Sequence, residues 1–154
     1  VVFHIVLVEP EIPANTGNIS RTCAGTGAHL HLVRPLGFSI DDRELKRAGL
    51  DYWPAVNLHV YDSFAEVIAN NDIARMFFAT TKGSRLYTEF TYEDGDMFVF
   101  GKETAGLPDS ILSLAPDQRI RIPMNSHIRS LNLSNSVAIV LYEALRHTGF
   151  GDLR

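Results

Sequence analysis

Met97-Phe98-Val99-Phe100-Gly101-Lys102-Glu103-Thr104-Ala105-Gly106 decides how the rest of the chain is read. Four consecutive apolar residues, without polar alternation, match a strand buried on both faces, and such strands belong to parallel sheets covered by helices. The run passes directly into a loop bounded by two glycines. In open α/β sheets ligands sit beyond the carboxyl ends of strands, where glycines let backbone N–H and C=O groups approach them.

Working outward, the same alternation of apolar runs and helical stretches covers the chain. Phe3 to Val8 reads as a buried strand closed by Glu9-Pro10-Glu11-Ile12-Pro13, and Asn15 or Thr16 then caps a helix running toward Gly25 and Gly27. Further strands are predicted at His29–Val33, Val56–Tyr61, Arg75–Thr80 and Arg119–Ile122. Helices are predicted from Asp41 through Ala48, over Ser63–Ala69 with Asp62 as cap, over Asp109–Leu114, and from Asn132 to His147. The expected fold is α/β, a mostly parallel sheet flanked by helices, with residues 1–154 forming one domain and no internal repeat or linker.

Composition narrows the function. Net charge is −4, from 14 basic and 18 acidic residues, which argues against coating nucleic acid through bulk positive charge. Local basic clusters remain, at Arg43, Lys46 and Arg47 and at Arg119, Arg121 and Arg129. Cys23 is the only cysteine, and no Cys/His spacing matches a structural zinc site, so a reducing, cytoplasmic setting without metal is expected. No run approaches the roughly 18 apolar residues of a membrane span, and Val1 to Val8 lacks the basic flank of a signal peptide.

Several motifs fail a positional test. Gly25-Thr26-Gly27-Ala28-His29-Leu30 lacks the third glycine of a dinucleotide fingerprint and precedes a strand instead of following one, so its glycines read as helix terminators. Gly101-Lys102-Glu103-Thr104 has Asp96 where a phosphate loop needs its first glycine. No serine-hydrolase elbow or zinc-protease pattern occurs. Three strand ends carry small-residue loops, at Thr80-Thr81-Lys82-Gly83, at residues 101–106 and at Ile122-Pro123. Between Ser130 and Ser136, two asparagines and three serines precede an apolar helix, more polar groups than capping requires, which points to ligand binding or a polar interface.

Three segments carry a family resemblance. Asn15-Thr16-Gly17-Asn18-Ile19-Ser20-Arg21, Phe100-Gly101-Lys102-Glu103-Thr104-Ala105-Gly106-Leu107-Pro108, and Ile120-Arg121-Ile122-Pro123 followed by Arg129-Ser130-Leu131-Asn132-Leu133-Ser134-Asn135 resemble, in order, the motifs of SPOUT-class RNA 2′-O-methyltransferases. The short chain and Leu50-Asp51-Tyr52 look like the minimal subfamily that methylates the wobble nucleotide, cytidine or uridine 34, of tRNA. Ala79, Lys102 and Leu131 depart from the commonest family pattern.

The resemblance implies a C-terminal deep trefoil knot, S-adenosylmethionine as the cofactor with no metal, the tRNA anticodon stem-loop as substrate, and a homodimer. It assigns activation of the acceptor hydroxyl to Arg21, whose permanent charge suits positioning better than acting as a free base, with proton transfer as a further role and an ordinary surface helix arginine as the alternative. Asn132 is the candidate for the substrate ribose or phosphate, with capping as its alternative, and both are taken as catalytic residues. Ala79, Gly101, Glu103, Ile122, Ser130 and Leu131 are then cofactor-binding, and Arg129 and Tyr142 substrate-binding. Glu103 has a competing role as a first-turn acid of the helix dipole. Two rival readings are a SPOUT enzyme for another RNA ribose, such as one in rRNA, and a non-catalytic RNA-binding module.

Overall fold

Residues of successive apolar runs go alternately to the two faces of one sheet, and this alternation builds the molecule in three layers. The computed structural model describes the backbone of residues 1–154 and every side chain except those at positions 50 and 51, so Leu50 and Asp51 of the Leu50-Asp51-Tyr52 stretch lie outside the described side chains. Strands β1 (His4–Val8), β2 (His29–Val33), β3 (Leu58–Tyr61), β4 (Met76–Ala79), β5 (Met97–Phe100) and β6 (Arg119–Ile120) form one parallel sheet in the order β3-β2-β1-β5-β4-β6. Five helices flank it: α1 (Pro13–Thr26), α2 (Arg43–Gly49), α3 (Phe64–Asn70), α4 (Asp109–Leu112) and α5 (Leu133–His147).

Ile5, Leu7, Phe77, Phe98 and Phe100 point to one face, where they meet Ile19 and Cys23 of α1 and Val137, Val140, Leu141 and Ala144 of α5. Val6, Val8, Met76, Phe78 and Val99 point to the other, against Phe64 and Val67 of α3 and Ile111 and Leu112 of α4. Each such side chain removed from water contributes about 1.5–3 kcal/mol before the entropy of ordering is subtracted. Burial pushes the Cys23 thiol up to about 12, so this cysteine is a packing residue and not a nucleophile.

The α/β expectation holds, and the element ends move for local reasons. Helix α1 starts at Pro13 with Ile12 as its N-cap, ahead of the expected cap at Asn15 or Thr16, because proline suits the first helical position, where no N–H is needed. Asn15 and Thr16 are therefore buried inside the helix. Of the two glycines read as terminators, Gly25 is helical and Gly27 alone ends α1, at a left-handed φ of 76°.

Asp42, not Asp41, caps α2, accepting from the amides of Glu44 and Leu45 at 2.8 and 3.3 Å. Asp62 pairs with Arg34 while Ser63 occupies the cap position of α3. Arg75 belongs to a 3-10 turn, Ile73–Arg75, and its guanidinium grips the fully buried Asp96 carboxylate through two bonds of 2.7 and 2.6 Å. Strand β3 begins at Leu58 and β6 ends at Ile120, each shorter than expected. Helix α4 stops at Leu112.

At the amino-terminal half of the sheet, His4, His29, His31 and His59 gather on the face that also carries Val6 and Val8. His4 Nδ1 lies 2.9 Å from His31 Nε2, His31 Nδ1 lies 3.0 Å from the Tyr61 hydroxyl, and the rings of His31 and His59 stack at 4.5 Å. Burial, reinforced by the neighbouring imidazoles, lowers His31 to about 3; His4 and His29 are also lowered, first by burial, with Asp94 opposing the shift at His4. The folded state therefore holds these groups neutral, while the unfolded chain protonates them below about pH 6.5. Their stability contribution is present above that pH and is lost as pH falls toward the folded values, with His31 contributing most and the more exposed His4 and His29 less, because solvent screens them. Thermal unfolding followed by circular dichroism should show a melting temperature that falls between about pH 7 and about pH 5. His31→Gln should flatten that fall; an equally steep fall in the variant would refute the assignment.

Candidate active site

The parallel register brings three strand ends level. Phe78 pairs with Val99 and Ala79 with Ile120, so the loops after β4, β5 and β6 leave the sheet side by side. Between them, together with the start of α1, lies a cavity of about 470 Å³. Ala79, Gly101, Glu103, Ile122, Arg129, Ser130, Leu131 and Asn132 all line it. Arg21 and Tyr142 do not line it. Their positions are on exposed surface of α1 and α5, the two helices that pack together on one face of the sheet.

The β5 loop has its shape because Gly101 lacks a side chain. A Cβ there would stand 2.0 Å from the Gly106 carbonyl carbon and 2.2 Å from the Leu107 nitrogen, so no other residue fits against the returning loop. Lys102 and Gly106 bridge across it, the Gly106 amide donating to the Lys102 carbonyl at 2.9 Å, and Gly106 turns with a left-handed φ of 67°.

This loop is fastened to the start of α1. Helix α1 has no acidic residue in its first turn and no side-chain cap of its own. Glu103 supplies one from the neighbouring loop. Its carboxylate accepts from the amides of Glu11 and Ile12, both at 2.8 Å, and from Asn15 Nδ2 at 3.2 Å. In return Glu11 accepts from the Thr104 hydroxyl at 2.7 Å and the Thr104 amide at 3.0 Å, and these two bonds, the hydroxyl first, hold its carboxyl below the usual carboxylate range. Lys102 faces Glu9 at 3.6 Å. Glu103 thus serves a helix dipole, but that of α1 and not of its own segment.

The polar run before α5 divides its labour. Asn132 caps α5, its Oδ1 accepting from the Ser134 amide at 2.9 Å and the Ser134 hydroxyl at 2.6 Å, while Ser136 Oγ donates to the Asn132 carbonyl. Asn132 Nδ2 also donates to Asn15 Oδ1 at 3.2 Å, which links the third loop through Asn15 to Glu103. An amide nitrogen carries two hydrogens, so one Asn132 N–H is left for a ligand. The capping role and the cavity-lining position coexist in one side chain.

Glu11 and Asn15 were missed as site residues, because Glu9-Pro10-Glu11 reads as an ordinary loop and Asn15 as a cap. The absence of any acid in the first turn of α1 is the one local sign that an anion had to come from elsewhere.

The comparisons agree with this geometry. Residues 2–142 match the SpoU rRNA Methylase family. The chain is 53% identical over 149 residues to a tRNA (cytidine(34)-2'-O)-methyltransferase of Methylovorus glucosotrophus, covering 96% of this chain and 97% of the relative. A structure solved for the 2-OH methylation of C/U34 on tRNA superposes with a TM-score of 0.92 at 44% identity, covering 96% of this chain and 97% of that one. An AdoMet-bound rRNA methyltransferase from Sinorhizobium meliloti superposes at 0.85 with 27% identity, over 94% of this chain and 56% of that one. With three glycine-containing loops closing one cavity at the carboxyl edge of a parallel sheet and a match along nearly its whole length, the chain belongs to the SpoU rRNA Methylase family.

Proposed function

We infer that this chain transfers a methyl group from S-adenosylmethionine to the ribose 2′-hydroxyl of the wobble nucleotide of tRNA, cytidine or uridine 34. The observation that carries the reading is the cavity at the ends of β4, β5 and β6, in a chain that aligns nearly end to end with a structure solved for that methylation. Residues 1–154 act as one methyltransferase domain, in the cytoplasm, where its RNA substrate is available.

The cavity suits an adenosine with a short charged tail. Its volume is in the range of small-molecule sites, its walls combine apolar Ala79, Ile122 and Leu131 with backbone groups of the loops, and Ser130 and Asn132 add polar atoms. When bound, S-adenosylmethionine supplies a methyl group on a sulfonium already electrophilic enough to need no metal activation. The protein's task is alignment: the 2′-oxygen gains the methyl as the S–CH3 bond breaks, S-adenosylhomocysteine is the leaving group, and the hydroxyl proton passes to solvent water. The acceptor oxygen must lie in line with the S–CH3 bond, and holding it there converts an encounter into an intramolecular step. Asn132 offers its remaining N–H to the ribose or phosphate, and Arg129 at the cavity mouth meets phosphate. Arg21 orients the 2′-hydroxyl and the adjacent phosphate; a guanidinium keeps its charge, so this role fits it better than that of a free base.

A homodimer reconciles Arg21 with the cavity it does not line. The α1 and α5 surface that carries Arg21 also exposes Tyr142, at 48%, and Phe150, at 40%, apolar area suited to a two-fold contact. Across that axis Arg21 of one subunit approaches the cavity of the other, and Tyr142 stands at the shared edge. Two copies of exposed Arg43, Lys46 and Arg47 then add to Arg129 to give the anticodon stem-loop a basic track on an otherwise acidic protein. The trefoil knot is part of the same proposal. Its support is the clamp on Arg121, whose amide donates to the Arg85 carbonyl, whose carbonyl accepts from the Tyr87 amide, and whose Nε donates to the Gly83 carbonyl at 2.8 Å.

The reading is tested with tritiated S-adenosylmethionine and unmodified tRNA transcripts followed by nucleoside analysis, where label in 2′-O-methylcytidine or 2′-O-methyluridine from position 34 is expected. Label elsewhere, or in rRNA alone, would overturn it. Arg21→Ala should lower turnover roughly a hundredfold or more while leaving cofactor affinity unchanged. Light scattering should report twice the chain mass, and Arg21→Ala subunits mixed with Gly101→Ala subunits should recover partial activity; verified mixed dimers without recovery would defeat the shared site. Gly101→Ala itself, by pushing the β5 loop outward, should weaken S-adenosylmethionine binding about tenfold or more in calorimetry.

A further inference from the structure

We propose that Tyr52 is a positioning residue for Arg21, its ring holding the guanidinium in the direction the acceptor hydroxyl requires. The inference rests on the methyltransferase reading above. Arg21 Cζ lies 5.7 Å from the centroid of the Tyr52 ring, inside the distance at which a cation is attracted to an aromatic face.

The contact follows from a close backbone approach one helical turn away. A Cβ on Gly17 would stand 2.4 Å from the Leu45 carbonyl oxygen and 2.6 Å from Ala48 Cβ. On the opposing segment, a Cβ on Gly49 would stand 2.8 Å from Ser20 Oγ. Two glycines therefore let α1 and the end of α2 touch through their main chains, and neither helix can slide without collision. Arg21 follows Gly17 by four residues, so both occupy the same side of α1. Tyr52 follows Gly49 by three and sits in the 3-10 turn Leu50–Ala55, where residues three apart are eclipsed. The same packing that locks the glycines thus sets the ring beside the guanidinium.

The chemistry of the pair matters as much as its place. Arginine has many rotamers, and an unrestrained side chain on exposed helix surface would lose them only at the moment of catalysis. A carboxylate could restrain it too, but would occupy its N–H donors and offset its charge. A ring face restrains it while leaving the N–H donors for the 2′-hydroxyl and phosphate. Tyr52 is half exposed, so the pair stands at the surface an RNA approaches.

Steady-state methyl transfer to tRNA transcripts tests this in wild type, Tyr52→Ala, Tyr52→Phe, Arg21→Ala and the double variant. Tyr52→Ala should lower kcat about three- to tenfold with KM for tRNA within about twofold, and Tyr52→Phe, which keeps the ring, should restore it. Because Tyr52 acts through Arg21, the double variant should be no slower than Arg21→Ala alone. A further loss in the double variant, or a loss expressed in KM for tRNA, would overturn the proposal and make Tyr52 a direct RNA contact. The pairing is also read apart from activity. The Arg21 Nε–Hε resonance should move in Tyr52→Leu, which keeps side-chain bulk, and stay in Tyr52→Phe; an unmoved resonance in Tyr52→Leu overturns the proposal. A wild type that binds S-adenosylmethionine but labels no position 34 would instead defeat the functional reading, with the resonance test still deciding the pairing.

Discussion

Everything at the functional end of this molecule depends on an exchange of carboxylates between two loops that are some ninety residues apart in sequence. Glu103 receives the free amides of Glu11 and Ile12 at the start of α1, and Glu11 receives the amide and hydroxyl of Thr104. The amides at a helix start have no partners within the helix, and the dipole there favours negative charge, so each bond is charge-assisted. The consequence is geometric. The β5 loop, which forms a wall of the cavity, and α1, which carries Arg21, move as one unit.

A second constraint works by the absence of atoms. At Gly101 the returning loop passes where a Cβ would be, and at Gly17 and Gly49 two helical segments touch through their backbones. The first fixes the cavity wall and the second fixes the face of α1 that meets the 3-10 turn bearing Tyr52. The opposite end of the sheet is occupied differently, by the stacked histidines of β1, β2 and β3. Burial keeps His31 neutral there, so the same sheet joins a cavity lined by polar loops to a cluster whose packing favours an uncharged ring.

Polar residues at the site carry more than one duty. Asn132 caps α5, bonds to Asn15 and keeps a donor for a ligand. Asn15 in turn joins Asn132 to Glu103, so the third loop and the second are connected through α1. Such connected side chains hold each other's rotamers, which is what alignment of an acceptor oxygen demands. Replacing any one of them disturbs both the helix start and the cavity.

The amino-acid sequence by itself determined the α/β class, because Ile5 to Val8 and Met97–Phe100 are apolar without alternation, as strands covered on both faces are, and such runs alternate with helical stretches along the chain. It also determined which strand ends form the site, since glycines and small residues mark the loops after β4 and β5, and the excess of asparagine and serine marks the entry to α5. Local signals failed where the partner was distant. Nothing near Glu103 announces that it caps a helix beginning at Pro13, nothing in Gly17 or Gly49 announces the other, and the spacing of Arg21 and Tyr52 along the chain contains no trace of their contact. Those pairings come from the order of strands in the sheet and the packing of α2 on α1, which bring remote segments within hydrogen-bond and van der Waals range. Periodicity records how a segment meets the core, and only the tertiary structure decides which other segment it meets there.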